Sequence, residues 1–319
     1  MAATTLKLNN GKSVPVLGLG TWQADDDPSV VEQAIRDAID AGYRHFDCAF
    51  IYGNEDVIGK ALRDKIAEGV VKREDLFITT KLWNTDHKRE NVVPACKRSL
   101  KNFGLTYVDL YLIHWPISYV ENATGIWAVD EEGNPMFGDE DYRDTWREME
   151  KCVELGYAKS IGLSNFNSQQ IDSILSIATI KPAMNQIECH PNLNQKKLRD
   201  FCRERNIAIT AYSPFGSPRR SWAKPTDPKV TIDDPKIVAV GKKYGKTAAQ
   251  VVLRYLIDIG TIPIPKSISK NRIIENINVF DFRLTPEEIA SIDKLDNGIR
   301  ICPAAEYKEH KDYPFNIEF

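Results

Sequence analysis

The feature that most constrains the fold is a regular alternation of short apolar runs with segments of helical spacing. Eight such runs follow one another along the chain, and most are continuously apolar rather than alternating between apolar and polar residues. Continuous apolar runs are typical of parallel strands that are covered on both faces. In chain order the runs are LGLGT, RHFDCA, DLFITTK, VDLYLIH, SIGLSN, AMNQIE, AITAYSP and TIPIPK.

Eight strand–helix units without a break in composition predict one α/β domain over residues 1–319, folded as a (β/α)8 TIM barrel. Before the first barrel strand, LKL, NNGK and VPV predict an amino-terminal β-hairpin, because Asn-Gly favours a tight turn. The alternative is an open doubly wound sheet, which GxGxxG after the first strand would favour. The chain has only GLG there, followed by Thr21 and Trp22.

Two helices have clear boundaries in the sequence. An apolar stripe at helical spacing begins after Asp27 and Pro28 and ends at Gly42. Near the end of the chain, Thr285 and Glu288 occupy the two positions of a capping box. Both patterns predict helices on the outside of the barrel.

Three connections are longer than a compact barrel needs. Residues 116–142 are named here the first lid, residues 215–234 the second lid, and residues 297–319 the tail. Long loops in a compact domain usually act as lids or binding loops. We therefore expect all three at the rim that carries the carboxyl ends of the strands.

Composition excludes several classes of protein. With 42% hydrophobic and 27% charged residues the chain resembles a soluble globular protein, and a net charge of -3 argues against non-specific nucleic-acid binding. The start of the chain lacks a signal-peptide core, and no apolar run is long enough to cross a membrane. The six cysteines are scattered without a CxxC pair. The expected location is the reducing cytoplasm.

Four polar residues lie where strand-like runs give way to loops: Asp47, Tyr52, Lys81 and His114. Polar side chains at the carboxyl ends of successive barrel strands meet at one rim. A carboxylate, a phenol, an ammonium and an imidazole together make an acid–base site that needs no metal and no nucleophilic serine. Each residue alone would more commonly be structural, but their joint placement favours catalysis.

This set of side chains suits the transfer of a hydride to a carbonyl group. The reaction places negative charge on oxygen, which a nearby acid must neutralise, and a free tyrosine has a pKa of roughly 10. We expect Lys81 to lower the pKa of Tyr52, while Asp47 keeps the lysine charged and in place. His114 would position the carbonyl oxygen with a second hydrogen bond.

A second group of polar residues lies around the last strand: Lys266, Ser267, Arg272, Glu275 and Asn276. The loop after a late barrel strand is a common phosphate site. A lysine and a guanidinium can neutralise a phosphate monoester from two sides, so a 2′-phosphate on an adenosine ribose would fit. The alternative is the solvated, charged start of a helix.

Three stretches resemble, in the right order, the signature regions of the aldo-keto reductase superfamily. They are GYRHFDCAFIYGNEDVIG, DLYLIHWP and IPKSISKNRIIEN. The resemblance extends from the hairpin to the final HKDYPFNIEF and is strongest for aldose and aldehyde reductases. It implies a monomeric, NADPH-dependent carbonyl reductase that binds its cofactor on a (β/α)8 barrel rather than a Rossmann fold.

Carried over by position, the resemblance makes Tyr52 the proton donor, with Asp47 and Lys81 as its partners and His114 as the substrate-orienting residue. It also assigns a task in binding NADPH or NADP+ to each of a larger set of residues. Those residues are Ser164, Asn165 and Gln186 for the carboxamide, Tyr212 for the nicotinamide ring, Ser213, Phe215 and Ser217 for the pyrophosphate, Lys266, Ser267 and Arg272 for the 2′-phosphate, and Glu275 and Asn276 for the adenine. Thr21 and Trp22 approach the cofactor and pocket from the first strand, and Asp47 is a further cofactor contact.

Aromatic residues beyond the strand ends predict a mostly apolar substrate pocket. In the first lid the sequence GIW departs from the more aromatic pattern of aldose reductases, which leaves the substrate open. The expected pocket residues are Trp22, Tyr52, Trp83, His114, Trp115, Ile126, Trp127, Trp222 and Cys302.

Three hypotheses for function remain open. The first is a general reductase of apolar or aromatic aldehydes and bulky ketones. The second is a reductase of ketosteroids such as 3-dehydroecdysone, on which some relatives act. The third is a non-catalytic NADPH-binding sensor or structural protein. The presence of all four residues of the acid–base set, named here the tetrad (Asp47, Tyr52, Lys81 and His114), disfavours it. Relatives that reduce carbon–carbon double bonds carry glutamate at the position of His114, so the resemblance implies C=O as the reduced bond.

Overall fold

The computed structural model describes residues 4–22, 27–121, 128–218, 220, 224, 230 and 232–319. The strands are β1 (Thr5–Lys7), β2 (Ser13–Pro15), β3 (Leu19–Gly20), β4 (His45–Asp47), β5 (Phe77–Leu82), β6 (Leu110–Ile113), β7 (Ile161–Ser164), β8 (Met184–Glu188), β9 (Ala208–Tyr212) and β10 (Thr261–Pro263). β1 and β2 pair antiparallel as the predicted hairpin. The strands from β3 to β10 form one sheet in chain order, and every neighbouring pair is parallel.

The first and last strands of this sheet meet and close it into a barrel. The N–H of Gly18 donates to the oxygen of Pro263 at 3.1 Å, and the N–H of Gly20 donates to the oxygen of Pro265 at 3.1 Å. A Cβ at Gly20 would lie 2.7 Å from the oxygen of Ile264, so only glycine permits this close approach. The predicted (β/α)8 barrel is confirmed.

Helices follow the strands on the outside of the barrel. Both α7 and α8 lie between β9 and β10, and none of the described helices is long and apolar enough to span a bilayer. The helices are α1 (Pro28–Asp40), α2 (Glu55–Ala67), α3 (Arg89–Phe103), α4 (Tyr142–Glu154), α5 (Ser168–Leu175), α6 (Lys196–Glu204), α7 (Pro235–Tyr244), α8 (Ala248–Asp258), α9 (Lys270–Ile277) and α10 (Pro286–Asp293).

The two helix boundaries that the sequence predicts are confirmed. At the start of α1 the carboxylate of Asp27 accepts the N–H of Ser29, and Pro28 occupies the first helical position, where no N–H is needed. At the start of α10, Thr285 and Glu288 form both hydrogen bonds of the capping box. A cap of this kind stabilises a protein by about 1 kcal/mol.

The hairpin closes one end of the barrel interior. At the amino ends of the strands, Leu8 and Val14 of the hairpin pack with buried strand residues, among them Phe77, Leu110 and Met184. A larger core fills the space between the sheet and the helices. The opposite end, where the carboxyl ends of the strands meet, is therefore the end that can hold a site.

The first lid and the tail contact each other at this opposite end. Tyr307 of the tail packs edge-on against Trp115, with ring centroids 5.3 Å apart, and against Tyr119 of the first lid at 5.8 Å. Phe137 of the first lid similarly meets His310 of the tail at 5.0 Å. These aromatic pairs form a small core between the two segments, consistent with their predicted position around the rim.

Candidate active site

The four residues predicted to carry acid–base chemistry come from neighbouring strand ends. Asp47 is the last residue of β4, Lys81 lies near the end of β5, and His114 directly follows β6. Tyr52 ends a short 3-10 helix after β4. Because β4, β5 and β6 are consecutive parallel strands, their carboxyl ends bring the four side chains to one rim.

Lys81 is the centre of this group. Its side chain is fully buried, and its Nζ donates to Oδ1 of Asp47 at 2.6 Å and to the main-chain oxygen of Cys48 at 2.8 Å. The same Nζ lies 3.4 Å from the hydroxyl of Tyr52. An ammonium has three N–H groups, so these contacts use all of them and fix a cation beside the phenol.

Asp47 is held on both sides. Its Oδ2 accepts a hydrogen bond from Nε2 of Gln186 on β8 at 2.6 Å. Its main-chain oxygen accepts the N–H of Thr21 at 3.1 Å and the hydroxyl of Thr21 at 2.9 Å. Loss of one partner from a buried ion pair costs about 3–5 kcal/mol, so Asp47 is what allows Lys81 to stay charged in the interior.

Burial sets the pKa of Tyr52. Desolvation raises the pKa to about 12, and the attraction of the Lys81 ammonium opposes the rise without cancelling it. Lys81 does act to lower the pKa of this phenol, as expected, but burial outweighs it and the net pKa lies above the usual value. Loss of water destabilises the phenolate. The ammonium of Lys81, 3.4 Å away, stabilises the phenolate by a smaller amount. Tyr52 is protonated at neutral pH, as a proton donor must be.

Lys81 and His114 differ in charge. Burial on its own would lower the pKa of Lys81, but the carboxylate of Asp47 and the oxygen of Tyr52 leave that pKa above its usual value. Burial lowers the pKa of His114 well below its usual value, and the Lys81 ammonium acts in the same direction. The lysine is a cation, whereas the histidine is a neutral ring with one donor and one acceptor nitrogen.

His114 faces the phenol across the site. Its ring lies 5.9 Å from the ring of Tyr52 and 5.3 Å from that of Trp83, both edge-on. Its main-chain oxygen accepts Nδ2 of Asn165 at 3.0 Å, which fixes the strand end. Nδ1 of His114 is buried without a hydrogen-bond partner among the residues that the structure describes. A buried polar atom in this state is a ready partner for a substrate oxygen or a water molecule.

Three of the residues predicted to face the nicotinamide are linked by hydrogen bonds. Asn165 has a left-handed backbone (φ 63°), and its Nδ2 also lies 3.2 Å from Oγ of Ser164. The hydroxyl of Tyr212 donates to Oδ1 of Asn165 at 2.8 Å. Gln186, the fourth, joins this group to the tetrad through Asp47. Together they place amides and one half-buried aromatic ring next to the acid–base residues.

The residues predicted for the pyrophosphate follow β9. Ser213 and Ser217 both have left-handed backbones (φ 51° and 42°), and their hydroxyls lie 2.8 Å apart. Phe215 between them packs against the main core. Sγ of Cys302 lies 4.0 Å from Oγ of Ser213, so the tail reaches the same loop. Burial raises the pKa of the Cys302 thiol to about 12, which keeps it uncharged.

Two cations predicted for the 2′-phosphate lie beyond the last barrel strand. Lys266 follows β10, and its backbone pairs with Gly20 of β3. Arg272 lies on the first turns of α9, and both side chains are exposed. Within the described part of the chain Arg272 has no ion-pair partner. Between the two, Oγ of Ser267 accepts the N–H of Ser269 at 3.2 Å.

The two residues predicted for the adenine lie one turn further along α9. Oε1 of Glu275 accepts the hydroxyl of Thr247 at 2.9 Å, which connects α9 to the start of α8. Asn276 is buried, with 4% of its surface exposed. Positions 272, 275 and 276 share one side of the helix because they are three and four residues apart. Their roles toward the adenine stay predictions.

The predicted pocket wall is described in part. Trp83 is buried beside His114, whereas Trp22, Trp115 and Cys302 are half-buried at the rim. Trp115 also contacts Phe315 of the tail, with ring centroids 6.1 Å apart. Three further predicted pocket residues lie outside the described residues, namely Ile126, Trp127 and Trp222.

Three residues beside the site were not anticipated from the sequence. Tyr119 and Tyr307 join the first lid to the tail, and Glu188 accepts hydrogen bonds from the tail backbone. Glu188 lies two positions after Gln186 in one strand-like run. The period of two in a strand puts both side chains on one face, and that signal could have identified it.

Comparison with known proteins agrees with this geometry. The sequence model of the Aldo/keto reductase family matches residues 16–297, which cover the sheet from β3 onward and all ten helices. The chain belongs to this family. Family membership makes it an NADP-dependent oxidoreductase, so the predicted enzyme class and cofactor are confirmed.

Curated relatives and solved structures match over almost the whole length. Aldo-keto reductase family 1 member A1 of Gallus gallus is 44% identical over 97% of this chain and 96% of the relative, and member A1-A of Danio rerio is 45% identical over 98% of each. An aldose reductase from Schistosoma japonicum superposes with a TM-score of 0.92 at 41% identity, covering 99% of this chain and 100% of that one. A Bombyx mori aldo-keto reductase, solved in complex with NADP, superposes with a TM-score of 0.90 at 42% identity, covering 98% and 99%.

Proposed function

We propose that this aldo-keto reductase reduces aldehydes and ketones to alcohols with NADPH and that Tyr52 is the proton donor. The observation that carries the proposal is the buried chain from Asp47 through Lys81 to Tyr52, with contacts of 2.6 and 3.4 Å. Its test is the oxidation of NADPH by the purified protein in the presence of aldehydes and ketones. No oxidation with any carbonyl compound would reject the proposal.

The four tetrad residues have separate tasks in this mechanism. When bound, NADPH supplies the hydride that reduces the carbonyl carbon. Tyr52 gives its phenolic proton to the carbonyl oxygen, and the Lys81 ammonium stabilises the phenolate that this leaves. Asp47 keeps the ammonium charged and in position. His114 is neutral, so it can donate a hydrogen bond to the carbonyl oxygen without competing as an acid.

The polar groups around the rim fit a dinucleotide with a 2′-phosphate. We assign Ser164, Asn165 and Gln186 to the carboxamide, because amide and hydroxyl groups match its donors and acceptors. Two exposed cations, Lys266 and Arg272, suit the phosphate. The other cofactor contacts proposed from the sequence are Thr21, Trp22, Tyr212, Ser213, Phe215, Ser217, Ser267, Glu275 and Asn276.

The contact between the first lid and the tail supports a compact apolar substrate. A flat polycyclic ketone such as 3-dehydroecdysone would need these two segments apart, whereas Tyr307 packs against both Trp115 and Tyr119. Aromatic and medium-chain aldehydes need less width. Among the two substrate hypotheses, general aldehyde reduction is therefore the one that we favour.

Aromatic and medium-chain aldehydes should have lower KM values than glucose. Burial of apolar surface stabilises a complex by roughly 25 cal/mol per Å², and the wall that includes Trp83 and Trp115 provides such surface. Sugar hydroxyls would lose water there without new partners. Steady-state kinetics over benzaldehydes, hexanal, a ketosteroid and glucose would measure the order. A preference for glucose over all apolar carbonyls would contradict the proposed pocket, and a lower KM for the ketosteroid would contradict the choice of aldehydes.

The pH profile of carbonyl reduction should fall only at alkaline pH. Tyr52 donates a proton, so the active form is present below its pKa and is lost as the pH rises toward about 12. The pKa of His114 lies well below its usual value, so this ring does not titrate near neutrality. We expect kcat/KM to be flat around neutral pH when measured in buffers of constant ionic strength. A loss of activity centred near pH 7 would mean that another group supplies the proton.

Three further expectations stay proposals. The single domain over residues 1–319 is supported by the continuous sheet, which runs through all eight barrel strands. A cytoplasmic location is supported by the six cysteines, all of which are free thiols. The monomeric state rests on the resemblance to monomeric family members. Analytical ultracentrifugation should give a mass near the 36.1 kDa of one chain.

A further inference from the structure

Glu188 is a buried carboxylate that the proposed chemistry does not use. It ends β8 and has no exposed surface. A buried charge is costly unless hydrogen bonds satisfy it, so its partners indicate its task. Among the described residues its side chain makes no ion pair with a lysine or arginine.

The partners of Glu188 are backbone groups of the tail. Oε1 accepts the N–H of Ile301 at 2.6 Å, and Oε2 accepts the N–H of Cys302 at 2.9 Å. Nε2 of His190, also fully buried, lies 2.9 Å from Oε1. An ionised carboxylate only accepts hydrogen bonds, so all three contacts run toward it. Such charge-assisted bonds are shorter and stronger than neutral ones.

The same strand joins this anchor to the catalytic group. Gln186 and Glu188 are two residues apart on β8, so their side chains lie on one face of the strand. Gln186 holds Asp47 of the tetrad, whereas Glu188 holds the tail. Glu188 also pairs in register with Tyr212 on β9. The tail anchor therefore lies beside the proposed nicotinamide site, on a strand whose contacts to the tetrad do not involve the tail.

The anchored residues lead into the proposed pocket wall. Cys302 lies next to Ser213, with Sγ and Oγ 4.0 Å apart. A few residues further on, Tyr307 packs against Trp115 and Tyr119. The position of this aromatic wall thus depends on the position of the tail at Ile301 and Cys302. Glu188 fixes the tail at these two residues.

We propose that Glu188 is a positioning residue that fixes the tail at Ile301 and Cys302 and thereby sets the affinity for large carbonyl substrates. This inference rests on the proposed function, because it assigns the tail to the substrate wall. A large aromatic aldehyde reaches that wall, whereas a short aliphatic aldehyde binds at the tetrad alone. Loosening the tail should therefore affect the two substrates differently.

The test is the isosteric variant Glu188→Gln. The carboxamide has one acceptor oxygen instead of two, so one of the two tail N–H groups loses its partner. We expect the KM for 4-nitrobenzaldehyde to rise about tenfold, as the loss of one charge-assisted hydrogen bond would give. The KM for propanal, the kcat for both substrates and the Kd for NADPH should each change less than about threefold, because Gln186, Asp47 and Lys81 keep their contacts.

A second readout does not depend on turnover. Amide hydrogen exchange at Ile301 and Cys302 should be slow in the wild type and clearly faster in Glu188→Gln, because exchange follows local opening. If none of the carbonyl compounds tested supports NADPH oxidation by the wild-type protein, the proposed function is wrong. The exchange rates alone then decide whether Glu188 holds the tail. Unchanged amide exchange at Ile301 and Cys302 in the variant would show that Glu188 does not anchor the tail.

Two further variants make the result specific. Ile301→Pro removes one N–H donor from the tail side and leaves the barrel residue intact, so it should reproduce the KM shift even if Glu188→Gln fails to fold. Ser168→Ala removes a different tail anchor, the hydroxyl that donates to the oxygen of Phe319 at 2.5 Å, and should leave both KM values unchanged. Equal KM shifts for both aldehydes, or the same shift in Ser168→Ala, would reject a specific positioning role for Glu188.

Discussion

Replacing Tyr52 with phenylalanine should lower kcat for carbonyl reduction by about 10²–10⁴-fold while leaving the affinity for NADPH nearly unchanged. The substitution removes the only proton that the proposed mechanism gives to the carbonyl oxygen, but keeps the ring and its packing. Lys81 and Asp47 keep their 2.6 Å contact, so the charge pair survives. Steady-state kinetics and fluorescence titration of NADPH would measure the two effects separately.

Tyr43→Phe is the matched control. Tyr43 is buried in the main core, and its hydroxyl has no hydrogen-bond partner among the described residues. Loss of that hydroxyl should leave kcat unchanged and cost no stability, since no bond is broken. A Tyr52→Phe enzyme with near-normal kcat would show that another group is the acid. A large loss in NADPH affinity would instead mean that the phenol contributes to binding.

The barrel and the arrangement of the proposed catalytic residues were predictable because their signals are local. Each strand is a short run of buried residues, and each of Asp47, Lys81 and His114 lies at the end of such a run. Parallel strands in a barrel bring their carboxyl ends together whatever the details of packing. Local runs plus one topological rule were therefore enough for the arrangement of the tetrad.

The properties that depend on tertiary burial were not predictable in this way. The pKa of Tyr52 is a balance between lost hydration and the attraction of Lys81, and only the three-dimensional structure shows that hydration dominates. The contact of Tyr119 with Tyr307 joins segments far apart in sequence. The bonds of Glu188 to the tail have the same character. In each case the sequence contains the residues but not the distance between them.

Removal of Lys266 or Arg272 should change the choice between NADPH and NADH. Each cation is exposed beyond the last strand and can form a charge-assisted hydrogen bond to a 2′-phosphate. Loss of one such bond should weaken NADPH binding by about 1–3 kcal/mol, which is on the order of 5–150-fold in Kd. NADH has no 2′-phosphate, so its Kd should change little. Titration of Lys266→Ala and Arg272→Ala with both cofactors would measure this.

Lys270→Ala separates a phosphate contact from a general effect of charge. Lys270 is an exposed cation on the same helix as Arg272, but its Nζ lies 3.2 Å from Oδ1 of Asp37 on α1. Its removal changes the net charge by the same amount as Arg272→Ala without removing a phosphate ligand, so NADPH affinity should fall only slightly. If the variants acted only through the loss of long-range attraction, the binding of both cofactors would weaken in all three variants. The size of that effect would diminish as salt is added. Equal losses for NADPH and NADH in Lys266→Ala and Arg272→Ala would therefore place the 2′-phosphate elsewhere on the rim. A loss confined to NADPH in these two variants, but not in Lys270→Ala, is the result that direct contact predicts.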